Sequence, residues 1–365
     1  GAPGGGPACL RHPTLRPPEP MPDTMRAALF SEYGDPEVVR VEEIPVPEPG
    51  PGEVRIRVRA AAMNHLDLWV RRGLPIDHPM PHVGGSDMAG TVDAVGAGVE
   101  GVAPGTRVVV DPSLHYDWYT GEDRGPGIEE PAFRILGEHT HGGFAEYAVA
   151  PAANLLALPD DVSFETAAAA GLVSVTAWRA LVTRGRLRAG ERVLITGGSG
   201  GVSTAAIQIA RLAGARVFVV TSGGENVGRA RELGADVVYD RTEVDVGREL
   251  RRDTGRRGVQ VALDAVGEAL WETCVRALGV GGRLVTYGAT TGPQAGVDLR
   301  QVFWKQLEIL GSTMGTPAEY RRVMRLVFEG RLEPIIHRVM PLEQARQAHE
   351  MLEEGRVFGK LVLTP

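Results

Sequence analysis

Cysteine is scarce in this sequence, with only Cys9 and Cys274 among 365 residues. Two cysteines cannot form a disulfide framework of several bridges or a tetrathiolate zinc site within the chain. Their scarcity favours a reducing compartment, and we expect a cytoplasmic location.

Long apolar runs and an excess of positive charge are also lacking. The most apolar segment, residues 167–175, is interrupted by polar residues well short of the roughly 20 that span a bilayer, so we expect no membrane partner. The formal net charge of −7 disfavours nucleic acid as a partner, because phosphate binding needs a basic surface. The most basic segment, residues 248–257, also carries Glu249 and Asp253 and is typical of a solvated helix end.

The rest of the sequence indicates an extension followed by two domains. Residues 1–24 are rich in proline and glycine without the pattern of a signal peptide, which predicts a disordered extension. Short β-branched runs broken by glycine and proline predict a mainly β catalytic domain from residue 25 to 173. Within it, residues 111–143 form a long polar segment, which predicts a functional loop or a lobe.

From residue 174 the pattern alternates between strands and helices. Apolar strands at Val193 to Thr196 and Val217 to Val220 flank a glycine turn and a helix, which predicts a βαβ unit and a parallel sheet. The predicted fold class is α/β, with a doubly wound Rossmann domain at residues 174–312. The last segment, residues 313–365, is predicted to return to the catalytic domain.

The segment GGSGGVS follows the first of these strands and opens the helix. Bare glycines there let backbone N–H groups and the positive helix end approach a pyrophosphate. Gly198 and Gly200 take the first two places of the G-x-G-x-x-G pattern, and the small Ser203 takes the third. We therefore assign Gly198, Gly200, Gly201 and Val202 to a cofactor site; the alternative is a glycine-rich turn without a ligand.

The end of the second strand indicates which cofactor binds. An acid usually stands there in NAD sites to hold the ribose 2′-hydroxyl, but this chain has Thr221 and Ser222. Neutral hydroxyls leave room for a 2′-phosphate, and Arg241 after the third strand is the nearest candidate to pair with it. The sequence predicts NADPH (NADP) rather than NADH, with an ordinary surface arginine as the alternative for Arg241.

Over residues 25–365 the chain resembles the medium-chain dehydrogenase/reductase superfamily. Segments that carry the resemblance include GSDMAGTVDAVGAGVEGVAPGTRVVV, GERVLITGGSGGVS and the final GKLVLTP. The resemblance implies a GroES-like, partly barrel-like catalytic domain built from both chain ends. It also implies a Rossmann domain between them, a substrate cleft at their junction, and a homodimer or homotetramer.

The resemblance further implies that the family's zinc ligands are missing. Zinc alcohol dehydrogenases of the superfamily hold the metal at positions that here are Asn64, Ser86 with Asp87, and Leu172. The counterpart of their four-cysteine zinc lobe, residues 111–143, contains no cysteine. This pattern is similar to the zinc-free quinone oxidoreductase branch. A metal in a new arrangement is the alternative, since six histidines fall within residues 25–173: His65, His78, His82, His115, His139 and His141.

Without a Lewis acid, a conjugated acceptor is easier to reduce than a simple ketone, because its charge spreads over an enolate or aromatic oxygen. The predicted function is hydride transfer from NADPH to a small quinone or α,β-unsaturated carbonyl. Asn64 is the candidate hydrogen-bond donor, or else it only fixes a turn. His65 is a candidate proton donor or a structural residue. Asp67, which resembles the acid of the family's N-x-x-D pattern, is a catalytic candidate that we expect to order the loop rather than to do chemistry, and Ser86 is a minor catalytic candidate.

Four more residues complete the predicted cofactor site. The resemblance implies that Thr176 lies near the nicotinamide and phosphates, while Val266 and Gly288 follow predicted strands at the edge where cofactors bind. Lys360 either reaches the cleft or is exposed. The alternative functions are an alcohol dehydrogenase with an atypical metal, and a cofactor-binding protein without redox turnover. The tyrosine that many enoyl-thioester reductases carry after the N-x-x-D segment is missing, which disfavours that substrate class.

Overall fold

The computed structural model describes residues 22–116 and 133–365. Nearly all of the predicted extension, and the centre of the long polar segment, therefore lie outside the described residues.

The N-terminal unit is mainly β, as predicted. Its strand β3 alternates between buried and exposed side chains, because Val54, Ile56 and Val58 face the core while Arg57 and Arg59 face solvent. In the described part of the chain this unit contains a three-stranded sheet, a two-stranded sheet and most of a seven-stranded sheet. Its elements are β1 (Thr24–Phe30), β2 (Arg40–Pro45), β3 (Glu53–Ala62), α1 (His65–Arg72), β4 (His82–Val83), β5 (Asp87–Val95), β6 (Arg107–Val110), β7 (Ser113–Leu114), β8 (Arg134–Ile135), β9 (Tyr147–Pro151) and β10 (Leu155–Ala157).

The second unit is a parallel six-stranded sheet in the order β13-β12-β11-β14-β15-β16, with helices between successive strands. This is the doubly wound arrangement, and the predicted α/β fold class is confirmed. Its central strands β11, β12 and β14 are mostly buried apolar runs, because helices cover both faces of the sheet there. Its elements are β11 (Arg192–Ile195), α3 (Gly201–Leu212), β12 (Arg216–Thr221), α4 (Gly224–Glu232), β13 (Val237–Asp240), α5 (Val246–Asp253), β14 (Val259–Asp264), α6 (Glu268–Ala277), β15 (Leu278–Thr286), α7 (Leu299–Lys305) and β16 (Glu308–Gly311).

The chain then returns to the first unit. Strand β18 pairs antiparallel with β3, placing Val362 opposite Ala62, and β17 pairs parallel with β18. This pairing brings Lys360, the first residue of β18, to the first unit's sheet. The elements of this return are α8 (Pro317–Phe328), β17 (Ile336–Pro341), α9 (Ala345–Glu353) and β18 (Lys360–Thr364).

One helix belongs to both units. Helix α2 (Phe164–Trp178) packs against β3 and β5 on one side and against α3 on the other. The predicted boundary between residues 173 and 174 falls inside this helix, and the domain limits remain predictions.

Helix α2 and the π-helical turn that follows it form a longer apolar helix than the sequence analysis expected. The continuous helix Phe164–Arg184 has 21 residues and by length and composition alone would reach across a bilayer. However, 72% of its most apolar window is buried inside the molecule, which is typical of a core helix.

Candidate active site

A cleft of about 440 Å³ lies where the two units meet. The start of α1, the middle of α2, the glycine turn before α3, the ends of β14 and β15, and the start of β18 form its walls. Carboxyl ends of parallel strands are where ligands bind in open α/β sheets. Most of the predicted site residues line this cleft: Asn64, His65, Thr176, Gly200, Gly201, Val202, Val266, Gly288 and Lys360.

Lys360 is not exposed, contrary to the alternative left open by the sequence. Its side chain is buried and its Nζ lies 2.5 Å from Asn64 Oδ1 and 3.4 Å from Asp87 Oδ2. Asn64 Nδ2 donates to Asp87 Oδ2 at 3.0 Å, and Asp87 Oδ1 accepts from the Leu172 backbone N–H at 2.7 Å. Burial lowers the pKa of Lys360, while the Asp87 carboxylate opposes that effect. The three side chains form a closed cation–amide–carboxylate cluster in the cleft wall.

Two members of this cluster, Asn64 and Asp87, stand at positions that the family resemblance assigns to zinc ligands, and their present contacts do not suit zinc. An amide oxygen and a carboxylate oxygen already accept hydrogen bonds from an ammonium group, and Leu172 offers no ligand atom. Across residues 22–116 and 133–365, no group of three His, Cys, Asp or Glu side chains is placed to hold a metal ion.

Three of the histidines instead pack against one another. The rings of His78 and His82 are 5.3 Å apart, and those of His82 and His141 are 5.8 Å apart, measured between centroids. His78 Nδ1 shares a hydrogen bond of 2.7 Å with Tyr33 Oη, and His82 Nε2 bonds to Gly137 O at 3.0 Å. Burial lowers the pKa of His82 to about 4, so its ring is neutral at neutral pH.

His65 begins α1 and lines the cleft. Solvent reaches the side chain, but the protein packed around the imidazole lowers its pKa, and the Lys360 charge adds to the effect. The ring is therefore neutral at pH 7, so it can donate one N–H without acting as a charged acid.

Asp67 and Ser86 lie beneath the cleft and do not line it. Asp67 accepts hydrogen bonds from the backbone N–H groups of Asn64, at 2.7 Å, and Gly85, at 3.0 Å, and so fixes the start of α1. Burial raises its pKa to about 6. Ser86 is fully buried, and its Oγ has no hydrogen-bond partner among the described residues.

The glycine turn before α3 leaves little room for larger side chains. A Cβ on Gly198 would lie 2.4 Å from Val219 Cγ1, and one on Gly201 would lie 2.8 Å from Lys360 Cδ. Ser203, in the third glycine position, donates its Oγ–H to Thr196 O at 2.8 Å and thereby ties α3 to β11. The side chain is small enough for this packing, which is why the departure from glycine is tolerated.

The polar surroundings of this turn suit a dinucleotide. Thr176 Oγ1 is buried, lines the cleft and has no partner in the described part of the chain. Ser222 follows β12, and the Arg241 backbone N–H donates to Thr221 O at 3.0 Å. Ser222 and Arg241 therefore lie side by side at one sheet edge, outside the cleft lining, with Arg241 exposed.

Several residues that line the cleft are not among those predicted from the sequence. Tyr287 directly follows a predicted strand, so the rule that found Gly288 applies to it as well. Burial raises the pKa of its phenol, which therefore stays protonated at neutral pH. Met314 also lines the cleft, and no sequence pattern indicates it. From the sequence, Asp87 was noted only as a residue at a zinc-ligand position of the relatives. In the structure it is the ion-pair partner of Lys360.

Close to Asp67, Glu138 leads to a prediction about stability. Burial, and secondarily the Asp67 charge, raise its pKa from 4.5 to about 7. The folded state therefore holds the Glu138 proton more tightly than the unfolded chain, and this contribution to stability is lost as the pH rises from about 4.5 to about 7. We expect Glu138→Gln to be more stable than the parent at pH 8 by about 2–3 kcal/mol, and not at pH 4.5.

Denaturant unfolding at the two pH values measures the difference. Glu232→Gln, a change at an exposed glutamate, is the control and should be neutral at both. An equal effect of Glu138→Gln at pH 4.5 and pH 8 would contradict the raised pKa.

Comparison with known proteins agrees with this architecture. Residues 50–160 match the family model of the alcohol dehydrogenase GroES-like domain, and residues 201–329 match that of the zinc-binding dehydrogenase. The crotonyl-CoA reductase of Streptomyces avermitilis is 30% identical, over 95% of this chain and 90% of its own length. The quinone oxidoreductase of Homo sapiens is 29% identical, over 93% of this chain and 97% of its own length.

Solved structures extend the likeness to the whole fold. One described as an NAD-dependent alcohol dehydrogenase has a TM-score of 0.87 and 46% identity, covering 93% of this chain and 100% of its own. The crotonyl-CoA carboxylase/reductase AntE in complex with NADP has a TM-score of 0.85 and 29% identity, covering 96% of both chains. With the GroES-like unit, the doubly wound sheet and the intervening cleft, these matches show that the chain is an oxidoreductase of the medium-chain dehydrogenase/reductase superfamily.

Proposed function

We propose that this chain is an NADPH-dependent reductase that transfers hydride to a quinone or an α,β-unsaturated carbonyl without zinc. The observation that carries the proposal is the buried Lys360 side chain in the cleft wall, whose Nζ contacts Asn64 and Asp87, two residues at positions that the family resemblance assigns to zinc ligands. A fixed cation there can stabilise the negative charge that develops on a substrate oxygen.

The cofactor assignment rests on two sets of residues. The glycine turn suits the pyrophosphate half of the molecule, and so does Thr176 Oγ1, which has no hydrogen-bond partner among the described residues. Ser222 and Arg241 suit a 2′-phosphate, because a hydroxyl and a guanidinium replace the acid of NAD sites. The neighbour AntE holds NADP. When bound, the cofactor supplies the hydride.

The chain's own residues then act on the acceptor. An ammonium group has three N–H donors. Lys360 directs two of them to Asn64 Oδ1 and Asp87 Oδ2. The remaining donor and the second amide N–H of Asn64 are available for a substrate oxygen. The Asp87 carboxylate opposes the lowering of the Lys360 pKa by burial, and His65, which lines the cleft, is the predicted proton donor.

The experiment that tests the function is NADPH oxidation against a panel of quinones and enones, with and without a strong chelator. We expect turnover that survives chelation. Turnover abolished by the chelator would overturn the zinc-free mechanism, and tight NADPH binding with no turnover on any acceptor would favour a protein without redox activity.

The cofactor preference gives a separate prediction. Arg241→Ala should weaken NADPH binding by about 10-fold while NADH binding stays unchanged, because only the 2′-phosphate loses a charged hydrogen bond. Fluorescence titration of both cofactors measures this change. Arg251→Ala, which removes an exposed arginine of α5, should leave both affinities unchanged. Tighter binding of NADH than NADPH to the parent protein would contradict the assignment.

Alcohol oxidation with NAD is the second candidate, and the 46% identity to a structure described as an NAD-dependent alcohol dehydrogenase favours it. Chelator-sensitive oxidation of simple alcohols would support this candidate over the reductase. The cytoplasmic location and the homodimer or homotetramer remain predictions.

A further inference from the structure

The turn at residues 312–316 has an unusual backbone at the edge of the cleft. Met314 has a φ of +44° although it is not glycine. Its side chain is 4% exposed and lines the cleft. A bulky residue with positive φ is strained, and it persists only where its surroundings hold it in place. The surroundings of Met314 therefore determine where its side chain lies in the cleft.

Contacts from three elements hold the turn. Tyr116 Oη donates to the Thr313 carbonyl oxygen at 2.6 Å, and the Arg179 guanidinium lies 5.3 Å from the centre of the Tyr116 ring. Arg179 also pairs with Glu319 at 2.8 Å. Glu319 in turn accepts from the Thr316 backbone N–H at 2.8 Å. The chain therefore fixes the backbone on both sides of Met314.

Met314 belongs to a small apolar cluster separate from the larger cores of both units. Several of its members also line the cleft, so one wall of the cleft is apolar while Asn64 and Lys360 make another part polar. The buried members are Tyr116, Ile135, Leu172, Val173 and Met314, and the partly buried Leu66, Phe133 and Val202 pack against them.

We propose that Met314 sets the depth of an acceptor subsite that takes an apolar chain attached to the reacting carbonyl. The proposal rests on the proposed function for the identity of that carbonyl. A charged or polyhydroxylated chain is disfavoured, because the apolar wall would desolvate it without hydrogen-bond partners. Tyr116 is a positioning residue, since it acts on the subsite through the Thr313 carbonyl.

A binding experiment tests the subsite without requiring turnover. Saturated methyl ketones of increasing length, from 2-butanone to 2-undecanone, are titrated into the complex of the protein with NADP⁺. We expect affinity to rise about fourfold per methylene until the chain reaches Met314, and then to fall.

Variants at Met314 then locate the limit. Met314→Gly removes a side chain of four heavy atoms and also relieves the positive φ, so the optimal ketone should lengthen by about three to four carbons. Met314→Leu keeps the volume and should keep the optimum within about one carbon. An unchanged NADP⁺ affinity serves as the test of folding, and Met314→Ala replaces the glycine variant if that affinity is lost.

Tyr116→Phe separates positioning from packing. It removes the hydrogen bond to Thr313 and keeps the ring, so ketone affinity at the optimal length should fall about 3- to 10-fold while NADP⁺ affinity is unchanged. The same optimum in the parent and Met314→Gly, or no dependence on chain length, would overturn the subsite. Length-dependent ketone binding without reduction of any enone or quinone would overturn the proposed function and leave the subsite standing.

Discussion

Replacing Lys360 with methionine is expected to lower kcat for enone or quinone reduction by roughly 10²- to 10³-fold, which is the usual loss when one stabilising donor is removed. Methionine retains much of the length and volume of the side chain but has no charge. NADPH affinity should change much less, because the glycine turn and the Ser222–Arg241 edge remain. Steady-state kinetics together with a cofactor titration separate the two quantities.

Two further variants make the Lys360 result interpretable. The sequence has one other lysine, Lys305, which bonds to the backbone carbonyls of Arg276 and Leu278 away from the cleft. Lys305→Met should keep the parent kcat. Removing Lys360 alone leaves the buried Asp87 charge unpaired, which costs roughly 3–5 kcal/mol of stability. The double variant Lys360→Met with Asp87→Asn should recover much of that stability without recovering kcat. Full turnover in either Lys360 variant would refute the role of the cation.

Introducing valine at Gly201 is expected to weaken NADPH binding by about 100-fold or more. Gly201 is the first residue of α3, and a Cβ there would lie 2.8 Å from Lys360 Cδ and 2.9 Å from Val173 Cγ1. The branched side chain would displace those neighbours and obstruct the N–H groups at the helix start. Titration of NADPH measures the loss.

The matched control for this variant is Gly228→Val in α4. Within residues 22–116 and 133–365, a Cβ at Gly228 has no heavy atom within 4 Å, so cofactor affinity and fold should be preserved. If Gly201→Val bound NADPH as tightly as the parent, the turn before α3 would not be the phosphate site.

The sequence predicted those parts of the molecule that depend on local pattern. Val217 to Val220 lie in a buried parallel strand because a sheet covered on both faces requires an unbroken apolar run. The glycine turn could be predicted because its residues are adjacent in sequence and because glycines before a helix let backbone N–H groups approach a phosphate. Asn64 was found only through the family resemblance, as the residue in place of a metal ligand.

The remaining features depend on contacts between distant segments. Lys360 and Asp87 are separated by 273 positions and meet only because β18 pairs with β3 at the edge of the cleft. No local pattern distinguishes such a lysine from an exposed one. Met314 was not predicted for a different reason, since its positive φ occurs in a turn whose backbone is held by Tyr116, a residue far away in the sequence.

The alanines of α2 set the thickness of the layer between the two units. Ala167, Ala168, Ala169 and Ala170 are fully buried, in a helix that separates the first sheet from α3. Methyl side chains keep these layers as close as helix packing allows. A larger side chain at these positions would push the first sheet and α3 apart. The distance between the phosphate turn and the Lys360 cluster therefore depends on residues that are not expected to contact the cofactor or the acceptor. Selection for a different cleft width would therefore act on this spacer helix as well as on the cleft walls.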